Sequence, residues 1–462
     1  MSRVVIIGAG PSALFAAKSI LENSSTISVD IFEQGKLQTE RICPADYGQC
    51  RNCSICATLQ GVGGAGLFSD GKLVLDLTSG GKADGISQLS AFERQQLEDY
   101  IKSTFVYFDG VSEEKNKPSK KVQNQQYYLY KEKNLKLKFY DVLHMGTQNL
   151  LNITTNFVKY LCVNYGDRFK LITETTVYSI EKCDDKYSIS TSKGNSHAEI
   201  VVAAVGKSGV QWLNKVLKSL GCRFISHDYF FGFRLETKID NVRDMVKYSF
   251  DPKIYRIVSD RKIKIHCVCR QGQIRYSRYR GSLVVGGHSP YTQNNSEYNN
   301  DTMNSNFNVL VSFDKEKFPP DYLLDVFRSN SDRIIVQKLV DFTNNHEMQI
   351  FGDILPTNLS MVQLGNLRSI MDSIDPEFSE IVIRFLTSLA ELYPGIMDGN
   401  NLLYSPAIEW DMDTVTVNKS METEQKNLFA IGDGAGLSQG IVYSAATGII
   451  AAKEIVIRLE EV

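Results

Sequence analysis

Short apolar runs that stop at glycine alternate along this chain with longer stretches of helical period. Val4-Val5-Ile6-Ile7, Ile200 to Val205 and Leu428 to Ile431 are continuous apolar runs, the pattern of strands buried on both faces, and Ser28 to Glu33 supplies a further strand. Ala13 to Leu21, Phe92 to Phe105, Gly146 to Tyr165, Val210 to Leu220 and a segment beginning near Ile441 read as helices. Phe169 to Ile172, Thr175 to Ile180 and Tyr187 to Thr191 alternate in the manner of a strand meander. Beyond Cys222 the texture turns aromatic and strand-rich. Phe230 to Glu236 is the clearest element there. Lys262 to Cys269 and Gln273 to Tyr279 read as a hairpin pair, followed by Gly281 to Gly287, a strand at Phe307 to Phe313 and helices across roughly 320 to 390. Asp109 to Lys121 and Asn294 to Asn306 read as loops, and Leu402 to Glu409 leads back toward the first unit.

Strands alternating with helices at both ends predict an α/β chain with a parallel, Rossmann-like sheet, into which an α+β substrate domain is inserted. The expected division is a discontinuous nucleotide domain (1–88, 141–221 and 396–462), a helical, lysine-rich insertion (89–140) and a substrate domain (222–395). No internal repeat is visible.

Three glycine-rich segments carry the chemistry. After the first strand, Gly8 permits a tight turn, Gly10 lets backbone approach a diphosphate, and Pro11, Ser12 and Ala13 open a helix whose N-terminus favours anions. The next strand ends in Glu33, at the position where a carboxylate accepts from ribose hydroxyls; this favours a ribose without a 2′-phosphate. The second segment, Gly432-Asp433-Gly434-Ala435-Gly436, follows another strand. Asp433 is placed to accept from a ribityl chain, and the helix after Gly440, from Ile441, would aim its N-terminus at a flavin pyrimidine. Two such turns at opposite ends of the chain favour FAD over NAD. The third segment, Gly61 to Lys72, could wrap a flat ring or a diphosphate.

Composition changes this picture little. The 462 residues are 43% hydrophobic, 10% aromatic and 23% charged, with a net charge of −2, so no case arises for nucleic acid. Lys117 to Lys121 and Lys131 to Lys138 read as solvated faces. No apolar run is long enough to span a membrane, and the first strand follows Met1 too closely to leave room for a signal peptide; a cytoplasmic location is the expectation.

Cys43, Cys50, Cys53 and Cys56 are crowded into one segment. Their spacing admits a metal site for zinc or an iron–sulfur cluster, a redox-active or disulfide-forming set, or unliganded thiols; it is not that of a zinc ribbon. In the inserted domain Arg234, Glu236 and His288 are the candidate catalytic side chains, with His266, Tyr276 and Glu409 as further polar groups. Arg234 and Glu236 stand two apart on one strand, which also suits a structural ion pair.

These segments resemble the FAD-dependent dehydrogenases of bacteria and archaea, within the glutathione-reductase-like flavoprotein class that includes geranylgeranyl reductases. The resemblance is carried by Gly61 to Leu73, His144-Met145-Gly146-Thr147, Gly232 to Glu236, Cys267 to Gly272, and Gly432 through Gly448, and so runs nearly end to end. Arg270 and Gln271 depart from the Pro and Gly usual there. The resemblance implies FAD contacts at Gly8, Gly10, Ser12, Ala13, Glu33, Arg41, Gly63, Gly64, Gly432, Asp433 and Ile441, and a backbone contact near Val177. It implies hydride transfer between flavin and a small organic substrate, without naming that substrate. No second complete dinucleotide motif is present, so electrons are expected from substrate, from transient NAD(P)H, or from an electron-transfer protein. The alternatives are a monooxygenase or oxidase using oxygen, and a non-catalytic binding protein like the GDP-dissociation inhibitors.

Overall fold

Four strand runs from the two ends and middle of the chain meet in one sheet: three are apolar throughout, and in the fourth the buried Asp30 is paired with Arg3. In the computed structural model, which describes residues 2–44, 50–108, 113–115, 117–288, 304–348, 359 and 362–460, that sheet has five strands. Their order is Leu428–Ala430, Ile200–Ala203, Ser2–Ile7, Ile27–Phe32, Phe169–Ile172, all parallel. Val4 to Ile7 and Ile200 to Ala203 are almost completely buried. The α/β expectation is borne out.

The first helix (Pro11–Asn23) and the last (Ile441–Glu460) lie against one another on this sheet. Gly448 makes the crossing possible, since any side chain there would overlap the Ser12 carbonyl. The two ends of the chain are thereby locked into one layer. The helix Ala91–Tyr107 packs beside the last helix and begins at a reciprocal cap. Ser90 Oγ accepts from the Glu93 amide at 3.2 Å, and the Glu93 carboxylate accepts from the Ser90 amide at 2.7 Å. Ser90→Ala is expected to cost about 1 kcal/mol, read as a lower urea midpoint.

A second core lies under an eight-stranded sheet. Its order is Val362–Leu364, Ile334–Lys338, Leu402–Glu409, Tyr229–Lys238, Asn304–Phe313, Arg261–Cys269, Lys253–Val258, Lys136–Lys138. Leu402–Glu409 and Lys136–Lys138 join it from outside residues 222–395. The three-part domain division is retained as a proposal about folding units.

Several elements pair differently from expectation. Phe169–Ile172 leaves the meander and becomes the parallel edge strand beside Ile27–Phe32, while Val177–Cys183, Lys186–Thr191 and Gly194–Ala198 form the antiparallel trio. Gln273–Tyr279 pairs with Ser282–His288, not with Arg261–Cys269, which is central in the large sheet. A short connection decides this pairing: Arg280 and Gly281, both at positive φ, form a tight turn. Asn304, Ser305 and Asn306 are buried strand residues, paired with Lys238, Thr237 and Glu236, rather than loop. Residues 294–303 lie outside the described residues, as do 109–112 and 116; within the other expected loop Glu113–Lys115 is a strand and a helix starts at Lys120. Among the described residues, no helix is long and apolar enough to cross a membrane.

Candidate active site

All three glycine segments line one cavity of about 440 Å³. Its first wall is the turn Gly8–Ser12. Gly8, at φ +102, has no room for a side chain against the Ala204 carbonyl, so the turn folds tightly onto the neighbouring strand. Gly64, at φ +61, faces it: a Cβ there would stand 3.2 Å from the Gly10 Cα. The third segment is clamped in place by the Gly63 amide donating to the Ala9 carbonyl at 2.8 Å. Pro11 opens the first helix with no side-chain cap and no acid in its first turn, so the N-terminal end of its dipole faces the cavity uncompensated. Gly440 and Ile441 bring the last helix to the same cavity, again with no acid in its first turn.

Glu33 lines this cavity. One of its oxygens accepts from the Gly35 and Gly61 amides at 2.8 and 3.0 Å, the other from the Ala9 amide at 2.9 Å. Carboxylate oxygens offer about four acceptor sites between them, so capacity remains on the oxygen bonded to Ala9. The Thr175 amide donates to the Glu33 carbonyl at 2.9 Å, which sets Thr175–Val177 alongside as the adjoining wall.

Asp433 lines the cavity as well. Burial pushes its carboxyl up to about 6, against the hydrogen bonds from Ser438 (2.6 Å) and the Gly440 backbone. A carboxyl raised on folding binds its proton more tightly in the folded chain. Its contribution to stability is therefore complete below pH 3.8 and is lost as pH rises through about 6. In cofactor-free protein, Asp433→Asn is expected to flatten the decline in urea midpoint that the native chain shows between about pH 4 and about pH 6.5.

The remaining expected contacts stand behind the wall. Ala13 is wholly buried in the first helix. The Gly432 amide donates to Thr447 Oγ1 at 3.0 Å, tying the second turn to the last helix. Gly63 faces Thr154 and Leu67 instead of the cavity. Arg41 donates to the Val62 and Gly64 carbonyls, both at 2.8 Å, and to Ala57 at 3.0 Å, so it shapes the third segment from behind; burial brings its guanidinium down to about 10, against the pull of Glu33.

Asp70 and Lys72 of the third segment, joined at 2.6 Å, line the cavity, as do Gly206, Lys207 and Trp212 beyond the strand Ile200–Ala203, which were not among the expected cofactor contacts. The partial glycine pattern at 204–209 was the available signal. Burial works against the Lys72 charge, but Asp70 and Asp251 outweigh it and hold the ammonium's pKa above its ordinary value.

None of the candidate catalytic side chains Arg234, Glu236 and His288 is among the residues that line the cavity. Arg234 is fully buried and donates to Asn308 Oδ1 (2.9 Å), the Cys267 carbonyl (2.8 Å), Cys269 Sγ (3.0 Å) and Asn306. Glu236 accepts from Tyr404 at 2.6 Å and Asn304 at 3.3 Å, and burial pushes it up to about 7. His288 reaches the third segment, with Nδ1 3.0 Å from Thr147 Oγ1 and 3.4 Å from the Phe68 carbonyl; burial and Arg275 lower its pKa to about 4, so it is neutral at pH 7. His266 holds Glu409 at 2.5 Å in the large sheet, with Lys264 at 3.0 Å.

Nor do the four crowded cysteines converge. Among the described residues, the set of ligand atoms lying within 4.8 Å of one another is Asp70, Cys267 and Cys269, which includes none of them. Cys53 is exposed, Cys50 packs near the large sheet, and Cys53 and Cys56 border a second cavity of about 400 Å³ that meets the first at Leu59, Gln60, Lys207 and Ser208. The zinc or iron–sulfur expectation for Cys43, Cys50, Cys53 and Cys56 finds no support in this geometry.

No family model matches the chain, and no curated protein matches its sequence. Similar solved structures include a flavoprotein/dehydrogenase from Cytophaga hutchinsonii (10% identity, 99% of this chain and 79% of that one, TM-score 0.42). Others are glycine oxidase from Geobacillus kaustophilus (12%, 99% and 95%, TM-score 0.39) and 2,6-dihydroxypyridine-3-hydroxylase from Arthrobacter nicotinovorans (11%, 100% and 83%, TM-score 0.40).

Proposed function

We propose that the cavity binds FAD and that the chain is an FAD-dependent oxidoreductase transferring hydride between the flavin and a small organic substrate. One observation carries this reading. The Glu33 carboxylate, two facing glycine turns, Asp433 and the start of the last helix all line a single cavity. A mononucleotide needs only the first turn and its acid; a dinucleotide with a ribityl linker and a flat ring uses the whole set.

The residues fit the group. Gly206 and Gly440 present open space where a Cβ would stand, as a cradle for a bulky ligand requires. Glu33 is set to accept from an adenosine ribose, and the Gly8–Ser12 turn with the first helix to hold the diphosphate. Asp433 is set to hold ribityl hydroxyls. When bound, the isoalloxazine supplies two-electron hydride chemistry, for which a protein provides orientation and electrostatics. The N-terminus of the last helix, which borders the same cavity, favours developing negative charge.

Protein purified without added cofactor, and then mixed with FAD, FMN or NAD, tests the reading. FAD is expected to be retained or taken up at one per chain, with flavin absorbance. A colourless protein that ignores FAD refutes it. Anaerobic reduction by NADH, NADPH or a reduced electron carrier identifies the donor, and the rate of reoxidation in air separates a dehydrogenase from an oxygen-using enzyme.

A further inference from the structure

The strand Arg261–Cys269 ends in two cysteines that the fold treats unlike an ordinary strand pair. His266 stands opposite Asn308 and Cys269 opposite Asn306, so one extra residue is accommodated between them. Cys267 absorbs it at φ +58, a left-handed conformation that costs a non-glycine residue energy. In an unbroken strand, residues two apart have Cα atoms roughly 6.5 to 7 Å apart, at the limit of what a disulfide spans. The bulge removes that limit. Both sulfurs turn the same way and lie within 4.8 Å of each other and of an Asp70 oxygen.

The surroundings suit a thiolate. Arg234 donates to Cys269 Sγ at 3.0 Å and to the Cys267 carbonyl at 2.8 Å. Lys72 reaches the Val268 carbonyl, and Asp251 accepts from the Val268 amide at 2.8 Å. Gly287, on the neighbouring hairpin, leaves the gap that Arg234 and Cys269 fill; a Cβ there would overlap the guanidinium. Two buried cations, Arg234 on Cys269 Sγ and Lys72 on Asp70, disfavour a metal ion in this cluster, and Arg234 favours a sulfur anion at Cys269. Asp70, which lies 3.3 Å from Cys269 Sγ, and its partner Lys72 also line the cavity, so Cys269 stands one side chain behind its wall.

We propose that Cys267 and Cys269 are a redox-active dithiol that exchanges electrons with the cavity's flavin, a proposal that rests on the FAD reading above. The Cys269 thiolate and the Cys267 thiol together lose two electrons and one proton as the S–S bond forms. Those two electrons and that proton would pass to a bound oxidised flavin, and their return would restore the dithiol. The two sulfurs are unequal in the required sense. Burial raises the Cys269 pKa, but the Cys267 hydrogen bond, Arg234 and Lys72 outweigh it and bring the thiol below its ordinary value; the hydrogen bond with Cys269 and burial raise Cys267.

Anaerobic dithionite titration of air-oxidised holoprotein, beside C267S and C269S, reads the pair directly. The native chain is expected to consume two electrons per flavin more than either variant. Mass mapping after denaturing alkylation needs no variant: the peptide carrying both cysteines should be blocked after air oxidation and doubly labelled after reduction. Equal electron consumption in all three proteins, with both thiols labelled after oxidation, overturns the dithiol and leaves a yellow protein's FAD reading standing. A colourless protein that closes the bridge in a glutathione buffer instead overturns the FAD reading, and with it the electron partner named here.

Discussion

Gly10→Val is expected to weaken FAD binding by at least about 100-fold, roughly 2.7 kcal/mol, while leaving the fold in place. Gly10 has φ −78, which any residue adopts, and a Cβ there meets nothing nearer than the Gly64 Cα at 3.9 Å. The first carbon therefore fits. The valine methyls would fill the gap between the first and third turns, at the uncapped N-terminus where a diphosphate must approach backbone amides. Fluorescence titration of FAD into the stripped protein measures the loss, and a thermal midpoint within a few degrees of native shows that the fold survives. Gly8→Val separates the two effects, because φ +102 and the Ala204 carbonyl allow no side chain there, and it should fail to fold. Native-like affinity in Gly10→Val would remove the diphosphate from this turn.

The second large effect is on stability. Arg234→Met should cost about 3 to 5 kcal/mol, because a fully buried guanidinium is replaced by a thioether that donates to nothing. Asn306 and Asn308 lose the donor to their carbonyl oxygens, and so does the Cys267 carbonyl. The damage has somewhere to spread. Asn306 also donates to the Gly272 carbonyl at 2.8 Å, and Asn308 donates at 2.9 Å to Glu409, which holds His266 and Lys264. Arg234→Lys keeps the charge but loses the fork, and should fall between native and Met. Urea midpoints of the three cofactor-free proteins test the order. A Met variant as stable as the native chain would show that these polar groups find other partners.

How much of this was legible in the sequence differs by element. The first strand, turn and helix, the helix Gly146–Tyr165 and the last helix were readable because local signals agree there: apolar period, glycine at positive φ, proline at a helix start. Of the expected cofactor contacts, Gly8, Gly10, Pro11, Ser12, Glu33, Gly64, Val177, Asp433, Gly440 and Ile441 border one cavity, while Ala13, Arg41, Gly63 and Gly432 support it from behind. Strand partners were less legible. Phe169–Ile172 alternates like a hairpin strand, yet its place is decided by the parallel register of Val29 with Phe169, a contact between distant parts of the chain. The catalytic candidates were chosen for chemical type, and type does not reveal that Arg234 points at two asparagines and two cysteines across the sheet. The crowded cysteines were conspicuous by spacing, but chain proximity does not bring sulfurs to one point.

Sequence alone determined that this chain builds a parallel α/β sheet with glycine turns at both ends, because backbone conformation and hydrophobic period are local properties. Only the tertiary structure decided that the three glycine segments share one cavity, that the last helix crosses the first at Gly448, and that Cys267 and Cys269 sit beside Asp70 behind its wall. Those outcomes depend on which surfaces pack against which across hundreds of residues, and on a strand bulge whose register is set by a partner strand.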